Sequence, residues 1–497
     1  MEKVELAEQN TTISCEELLQ AAGLNPVENF EIIEYENLDK LDNESYEKRF
    51  MTALSIILNN STEQAGKTSA QSLIDHIDAV INKQVEEVIK HQTFRKLEEN
   101  WRSLYEIASV IDNNSTKLAL LDVSKDELAE DFEDNSVDIM GSDLFQKVYV
   151  HEYDQYGGEP FGSIIGLYEF DKTPDDIEWL ATMGKVAEAS HAPFISAIAP
   201  KFFGDNEYAN LSEIKDIDGL MAHPKYGRWN AFRKTKAAGY IGLTLPNFML
   251  RPPYHPDTYP AGKGVLSGFQ EAVDLSAPHK QCLWGNAAVL FAKNLYRSYQ
   301  ITGWCQSICG PTSGGLVEGL PIFNYNERDA NAYVLPTNFL IPDHKEYSLA
   351  KAGFIPLVYE KKTANACFFS AQSLKASEEF EDPKDSENSQ MVTKLPYTFS
   401  MSKIAHYVKC YTRDVIGSEA DEVIVQDKLS MWMNQYITTA PNPNTLTRSY
   451  YPFKAAEVEV VKASGMAGWY NCSINVLPHI KFEGMDVSMR IETRLGG

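Results

Sequence analysis

The sequence predicts a multi-domain protein of α+β or mixed α/β class. From about residue 145, short apolar runs typical of strands alternate with segments whose apolar residues recur at helical spacing. The chain has 497 residues, of which 43% are hydrophobic, so several cores of ordinary size can be buried. We expect an extended N-terminal arm at 1–45, a helical region at 46–115, a mixed α/β body at 116–400, and a C-terminal region of helices and terminal strands at 401–497.

The predicted arm combines a short helix with an isolated strand. Ser14 offers an N-cap for a helix at 12–24, and Gly23 is a suitable stop. The run from Phe30 to Tyr35 reads as a strand, but little nearby could pair with it. That strand must therefore find its partner elsewhere, for example on another chain.

The next part of the chain predicts helices followed by strands. Apolar spacing indicates helices at 72–91 and from Thr93 onwards. The apolar run at 116–124 predicts a buried strand, and two more strands are expected at 147–153 and 161–170.

The body continues with alternating elements. Residues 175–200 predict a helix that leads into a strand, 238–246 another strand, and 283–304 a helix ending near Gly303. The polar, acidic stretch at 374–390 predicts an exposed loop.

The C-terminal region predicts two helices and two closing strands. An apolar face defines the helix at 395–417, and an acidic start marks the one at 419–437. Strand-like runs follow at 468–483 and 485–495. The apolar face of the first helix consists of Ile404, Tyr407, Val408 and Tyr411.

Candidate chemical sites are weak, and we expect neither a cofactor nor a metal. The STEQAGKTSA segment at 61–70 has Ser61 where a phosphate-binding loop needs its first glycine. Cys305 and Cys309 lack a second Cys/His pair that could complete a zinc site. The histidines, including His191, His406 and His479, stand without an evident catalytic partner and are expected to be structural.

Charge and segment composition limit the possible partners and location. The chain carries 45 Lys and Arg against 70 Asp and Glu, a formal charge of −25, which argues against nucleic-acid binding and against docking on anionic membranes. No segment approaches the roughly 20 apolar residues of a membrane span, and the N-terminus lacks secretory signal features. Seven scattered cysteines do not describe a disulfide framework, so a reducing cytoplasm is expected.

Several segments in consistent order resemble one known family. The segments are LEENWRSLYEI (97–107), EPFGSIIGLYEF (159–170), SHAPFISAIAP (190–200), AGYIGLTLPNFMLRPPY (238–254), LWGNAAVLFAKNL (283–295), GWCQSICGPTSGGLVEGLP (303–321), PTNFLIPDHKEYSLAKAGFIPL (336–357) and LPYTFSMSKIAHYVK (395–409). Together with the C-terminal run, they resemble the large subunit of the type VI secretion contractile sheath, which is related to phage tail sheath proteins.

The resemblance implies a phage-tail-sheath-like structural subunit rather than an enzyme. It implies a heterodimer with a small sheath subunit, which the helical region at 46–115 would contact. Copies of the heterodimer would form a helical lattice around an inner tube of hexameric rings, connected to a baseplate at the inner face of the cell envelope. Contraction would propel tube, spike and effectors, and a hexameric unfoldase of the ClpV or ClpB type is a candidate recycling partner.

This reading assigns interface roles to four groups of residues. The arm strand and the C-terminal strands are expected to complete one intermolecular sheet, so that neighbours stay linked while their bodies rotate. The acidic helix start is the expected contact for the inner tube, and the first helix the expected unfoldase handle. The groups are Phe30, Ile32, Ile33 and Tyr35 (arm strand); Val487, Met489, Ile491 and Thr493 (C-terminal strand); Glu419, Asp421 and Glu422 (tube contact); and Leu18, Leu19 and Leu24 (handle).

Two alternatives stay open from sequence. A phage-like or other self-assembling sheath or shell would assemble without a small partner. A cytosolic enzyme with an unrecognised site would show a concave pocket with perturbed titratable groups.

Overall fold

The structure is a computed structural model that divides into two compact units. One comprises Met1–Arg95 with Tyr254–Ala272, and the other Lys96–Pro253 with Val273–Gly497. The predicted boundaries at 45, 115 and 400 stay predictions. The residues that the structure describes are 79, 81–112, 116–204, 211, 214–255, 269, 271–274, 276–325, 333–378, 380–415, 422–440, 442–462, 470–479 and 489–495.

The α-helices are labelled here in chain order. Their bounds are α1 (Gln92–Ala108), α2 (Lys125–Asp134), α3 (Asp143–Phe145), α4 (Pro174–Ser190), α5 (Ile217–Met221), α6 (Gly227–Arg233), α7 (Pro278–Gln281), α8 (Ala288–Thr302), α9 (Asp343–Lys351), α10 (Pro383–Val392), α11 (Leu395–Val415), α12 (Glu422–Asn434) and α13 (Thr445–Tyr450).

The strands are likewise labelled in chain order. They are β1 (Ile164–Phe170), β2 (Phe194–Ile198), β3 (Ile241–Leu245), β4 (Phe248–Arg251), β5 (Leu283–Gly285), β6 (Leu316–Val317), β7 (Phe323–Asn324), β8 (Tyr333–Val334), β9 (Phe354–Tyr359), β10 (Ala366–Phe368), β11 (Phe453–Lys462), β12 (Tyr470–Pro478) and β13 (Met489–Leu495).

In the unit that holds Met1–Arg95, the described backbone at 81–90 is helical, as the spacing at 72–91 predicts. Lys90 Nζ donates to the carbonyl of Ala272 at 3.1 Å within the same unit. The STEQAGKTSA segment at 61–70 lies outside the described residues.

A six-stranded sheet forms the centre of the other unit. Its order is β1-β2-β3-β9-β10-β6, with β1, β2, β3 and β9 parallel and the last two strands antiparallel. β2 and β3 are buried at every position, as expected for parallel strands covered on both faces. The strands expected within 161–170, 175–200 and 238–246 are thereby confirmed.

In the C-terminal region the two predicted helices and the two predicted closing strands, here β12 and β13, are confirmed, but the strand β11 was not predicted. α11 spans the expected helix, and a three-stranded antiparallel sheet of order β11-β12-β13 follows α12. Ile404 and Val408 of the predicted apolar face are fully buried in one core with this sheet.

Two predicted strands are wrong. Residues 147–153 lie in a π-helix, Gln146–Tyr153. Phe145, Tyr149 and Tyr153 recur every four residues and favour a helix, because Tyr149 stacks on Phe145 and meets Tyr153 edge to face. Residues 116–124 join no sheet, and their leucines are exposed rather than buried. Both predictions relied on a local apolar run. Such a run does not show whether another strand lies beside it to pair with.

Two further predictions are partly wrong. The predicted helix at 283–304 begins with the strand β5, which pairs with β4, and α8 starts only at Ala288. The predicted loop at 374–390 ends in α10, whose first residue, Pro383, has a backbone angle already suited to a helix. Met391 anchors that helix because its side chain is buried.

Candidate assembly surfaces

The C-terminal sheet has one apolar face and one polar face. Val458, Cys472 and Ile474 are buried against α11 and α12, whereas Glu457 and Glu459 on the opposite face of β11 are exposed. Alternation of this kind places a strand at the surface of a domain with its apolar side inward. The polar face is therefore available to solvent or to another chain.

Among the strands that the structure describes, β13 forms one edge of this sheet. Met489, Ile491 and Thr493 of the predicted interface lie on β13, where their backbones pair with Val476, Ile474 and Cys472 of β12. Among the described residues, no strand pairs with the other edge of β13. An open edge presents unpaired backbone donors and acceptors that a further strand can use.

Most of the remaining predicted interface residues cannot be placed. Val487, the arm residues Phe30, Ile32, Ile33 and Tyr35, and the handle residues Leu18, Leu19 and Leu24 all lie outside the described residues. Their roles stay predictions.

The predicted acidic contact is described only at Glu422. This residue begins α12, and its carboxylate lies 3.6 Å from Lys462 Nζ, while Glu419 and Asp421 lie outside the described residues. The exposed side of α12 carries Val423 and Met431, which are 59% and 69% exposed. The described part of this surface is thus more apolar than the sequence suggested.

An exposed apolar stripe on α1 was not singled out from sequence. Leu97, Trp101 and Tyr105 recur every four residues and are 53%, 65% and 72% exposed. Ser103 and Ile107 on the other side of the same helix are buried. The spacing was readable, but periodicity alone does not tell a face that packs on the core from one that points to solvent.

A buried ion pair fixes α1 in place. Glu98 accepts from Arg251 Nε at 2.6 Å and Nη2 at 2.9 Å, and also from Arg102 Nε at 2.7 Å. Burial alone would raise the pKa of Glu98, but the bonds and charges of Arg251 and Arg102 lower the pKa to about 2. The stripe therefore sits on a rigidly held helix.

Burial governs the ionisation of the candidate chemical residues. Burial raises the pKa of the Cys305 and Cys309 thiols to about 12, far from the reactive range. Burial, together with the charges of His406 and Lys409, lowers the pKa of His191 to about 4. Across the described ranges, no three metal-ligating side chains come together, and none of the helices there has the length and apolarity of a membrane span.

Comparison with known proteins agrees with this architecture. Residues 71–375 match the EvpB/VC_A0108 tail sheath N-terminal domain, and residues 384–495 match the tail sheath gpW/gp25-like domain of the same family. The type VI secretion system sheath protein TssC1 of Pseudomonas aeruginosa (strain PAO1) is 36% identical over 456 residues, covering 89% of this chain and 90% of that protein.

A solved structure shows only distant similarity. The cryo-EM structure of the anti-feeding prophage baseplate matches with a TM-score of 0.30 and 9% identity, over 63% of this chain and 61% of that one, which is too low to support an argument. The two domain matches and the similarity to TssC1 decide the family. The chain therefore belongs to the EvpB/VC_A0108 tail sheath family and is a structural subunit of a type VI secretion contractile sheath.

Proposed function

We propose that this chain is the large subunit of a two-component sheath whose lattice is held together by sheets completed between chains. The observation that carries the proposal is the open edge of β13 in a sheet whose apolar face is already buried. A strand added there gains backbone hydrogen bonds without disturbing the core. The arm strand, with Phe30, Ile32, Ile33 and Tyr35, is the proposed donor from a neighbouring copy.

The small sheath subunit is the proposed partner of the α1 stripe. Leu97, Trp101 and Tyr105 form a contiguous apolar row, and large aromatic anchors of this kind dominate protein interfaces. The Glu98–Arg251 pair holds the row rigid before the partner binds, which lowers the entropic cost of association.

The remaining partners follow from family membership. The surface around Glu419, Asp421 and Glu422 is proposed to face the inner tube, and Leu18, Leu19 and Leu24 to bind an unfoldase of the ClpV or ClpB type after contraction. The assembly is proposed to stand in the cytoplasm on a baseplate at the cell envelope. The protein would act by assembly and contraction, with no bond chemistry of its own.

The lattice proposal is tested by breaking the arm strand. Ile32→Pro removes a backbone donor, whereas the matched control Ile32→Val keeps it. After co-expression with the small subunit, we expect Ile32→Val to form hollow tubes by negative-stain microscopy, and Ile32→Pro to form heterodimers only. Normal tubes from Ile32→Pro would contradict the arm strand, and tubes from the large chain alone would contradict the two-component sheath.

The heterodimer proposal is tested by charge insertion into the stripe. Tyr105→Lys should abolish co-purification with the small subunit, because it places an ammonium in an apolar interface. Tyr347→Lys is the matched control, since Tyr347 is 71% exposed and lies on α9, away from the stripe. If both variants co-purified equally well with the small subunit, the α1 stripe would not be part of the interface.

A further inference from the structure

One polar side of α11 reaches the ends of three other helices. Lys403 donates to the carbonyl of Gly303, the C-cap of α8, and His406 Nε2 donates at 2.9 Å to the carbonyl of Ser190, the last residue of α4. Arg413 donates to the carbonyl of Tyr153, which ends the π-helix. Such terminal carbonyls lack partners in their own helix and favour positive charge. α11 is thereby fastened to three helix ends of the body, while its apolar side packs on the C-terminal sheet.

Two imidazoles meet at the middle of this contact. The ring centroids of His191 and His406 are 6.2 Å apart, and the ring of Tyr153 lies edge-on to both, at 5.9 Å and 5.1 Å. His191 Nδ1 lies 3.2 Å from the hydroxyl of Tyr240. Both histidines therefore sit in an aromatic surrounding formed by several elements.

The charges around the pair are mostly positive or already compensated. Lys409 Nζ lies 2.6 Å from Asp154 and also rests over the Tyr153 ring at 4.3 Å. The hydrogen bond to Ser190 favours a charged His406, but burial outweighs it, and the pKa of His406 is lowered. The titratable and charged groups on the elements around the pair are Tyr149, Tyr153, Asp154, Glu188, Tyr240, Tyr397, Lys409, Cys410 and Arg413.

We propose that the His191–His406 pair is a pH-sensitive latch, which holds α11 on the body while both rings are neutral and loosens as both rings gain protons. Protonation would place two imidazolium charges on rings whose centroids are 6.2 Å apart, near the ammonium of Lys409. Opening the contact would let water solvate these charges. The latch would control how firmly the C-terminal sheet is attached to the body, and it does not depend on the proposed partners.

The direction of the pH effect follows from linkage. In the open state both histidines should titrate near their ordinary pKa of about 6.5, and in the closed state they titrate lower. The free energy that favours the closed contact is therefore fully present above about pH 6.5. It decreases as the pH falls below that value toward the pKa of His191, about 4. At about pH 5.5 the opening equilibrium should rise roughly tenfold for each imidazole that is protonated only in the open state.

A double variant separates the latch from general acid instability. His191→Asn suits the left-handed backbone at that position, where φ is 50°, and His406→Gln keeps an amide N–H near the position of Nε2. The measurement is hydrogen exchange by mass spectrometry on the purified full chain, at about pH 7.5 and 5.5, corrected for intrinsic exchange rates. Peptides from α11 report the latch, and peptides from β2 and β3 report the body.

We expect acidification to lower the protection of α11 in the wild type by at least about tenfold, with β2 and β3 unchanged. The His191→Asn/His406→Gln variant should match the wild type at the higher pH and lose little protection at the lower. Equal losses in wild type and variant, or no loss in the wild type, would overturn the proposal. Should the variant fold poorly, loss of α11 and β2–β3 protection together in the wild type would overturn it as well.

Discussion

The central sheet and the C-terminal sheet bury their strands in different ways. β2 and β3 are buried along their whole length, and β9 is buried at five of its six positions. β11, in contrast, alternates between buried and exposed residues, and β13 leaves one edge without a partner among the described strands. The inner strands of the first sheet are therefore covered on both faces, whereas the second sheet has one solvent-facing side and ends at β13 among the described strands. This contrast is why we propose the second sheet, rather than the first, as the assembly element.

The largest expected effect comes from a substitution that creates a cavity beside the central sheet. Phe354 is fully buried in β9, with its ring 5.3 Å from that of Phe202 and 6.3 Å from that of Trp229. Phe354→Ala should lower the free energy of unfolding by about 3–5 kcal/mol, measured by urea denaturation. Val461→Ala on the exposed face of β11 is the control and should change it by less than about 0.5 kcal/mol. If both variants lowered the free energy of unfolding by similar amounts, the proposed difference in burial between the two sheets would be contradicted.

A slightly smaller effect is expected at the ion pair that anchors α1. Glu98→Gln removes the carboxylate that accepts two hydrogen bonds from Arg251, whose side chain is only 3% exposed, and should lower the free energy of unfolding by about 3 kcal/mol. Glu99→Gln on the same helix is the control and should cost less than about 1 kcal/mol, because its partner Lys96 is exposed.

The Glu98–Arg251 ion pair should also make the free energy of unfolding depend on pH. Because the folded pKa of Glu98 is lowered to about 2, its contribution to stability is present above its ordinary value of 4.5 and is lost as the pH falls from 4.5 toward 2. Urea denaturation at pH values across that window should show a steeper loss for the wild type than for Glu98→Gln. Parallel profiles would show that the carboxylate is not held as described.

An intermediate effect should distinguish the two faces of the C-terminal sheet. Ile474 is fully buried in β12, so Ile474→Val should lower the free energy of unfolding, measured by urea denaturation, by about 0.5–1.5 kcal/mol. Glu459→Ala on the opposite face should leave stability within about 0.5 kcal/mol. If Glu459→Ala destabilised the chain as much as Ile474→Val, the polar face would be part of a core rather than free for assembly.

The smallest effect belongs to the surface ion pair of the same region. Lys462 and Glu422 lie 3.6 Å apart with side chains 63% and 37% exposed, so Lys462→Ala should change stability by less than about 1 kcal/mol. Differential scanning calorimetry in low and high salt would check this. A large, salt-dependent loss would mean that the pair helps to hold α12 on the sheet.

Sequence patterns predicted those elements whose burial follows their own periodicity. The apolar face of Ile404, Tyr407, Val408 and Tyr411 lies in the C-terminal core, and the parallel strands are found within the expected ranges. The π-helix and the exposed residues 116–124 were missed, because an apolar run does not show whether its backbone pairs within a helix or with another strand.

Surfaces were harder to predict than elements. The stripe around Trp101 has the spacing of an ordinary packing face, and only its exposure distinguishes it. The isolated Phe30–Tyr35 run predicts a strand that needs a partner elsewhere, and the family resemblance adds the role of the handle residues. All of these residues lie outside the described part of the chain, so their roles stay proposals.

The most direct test of this account is the occupancy of that edge in an assembled sheath. A cryo-EM map of tubes formed with the small subunit would show β13 at side-chain detail. We predict a further strand, contributed by another chain, hydrogen-bonded along the outer edge of β13. A bare edge in well-ordered tubes, or an edge covered by the subunit's own chain, would contradict it.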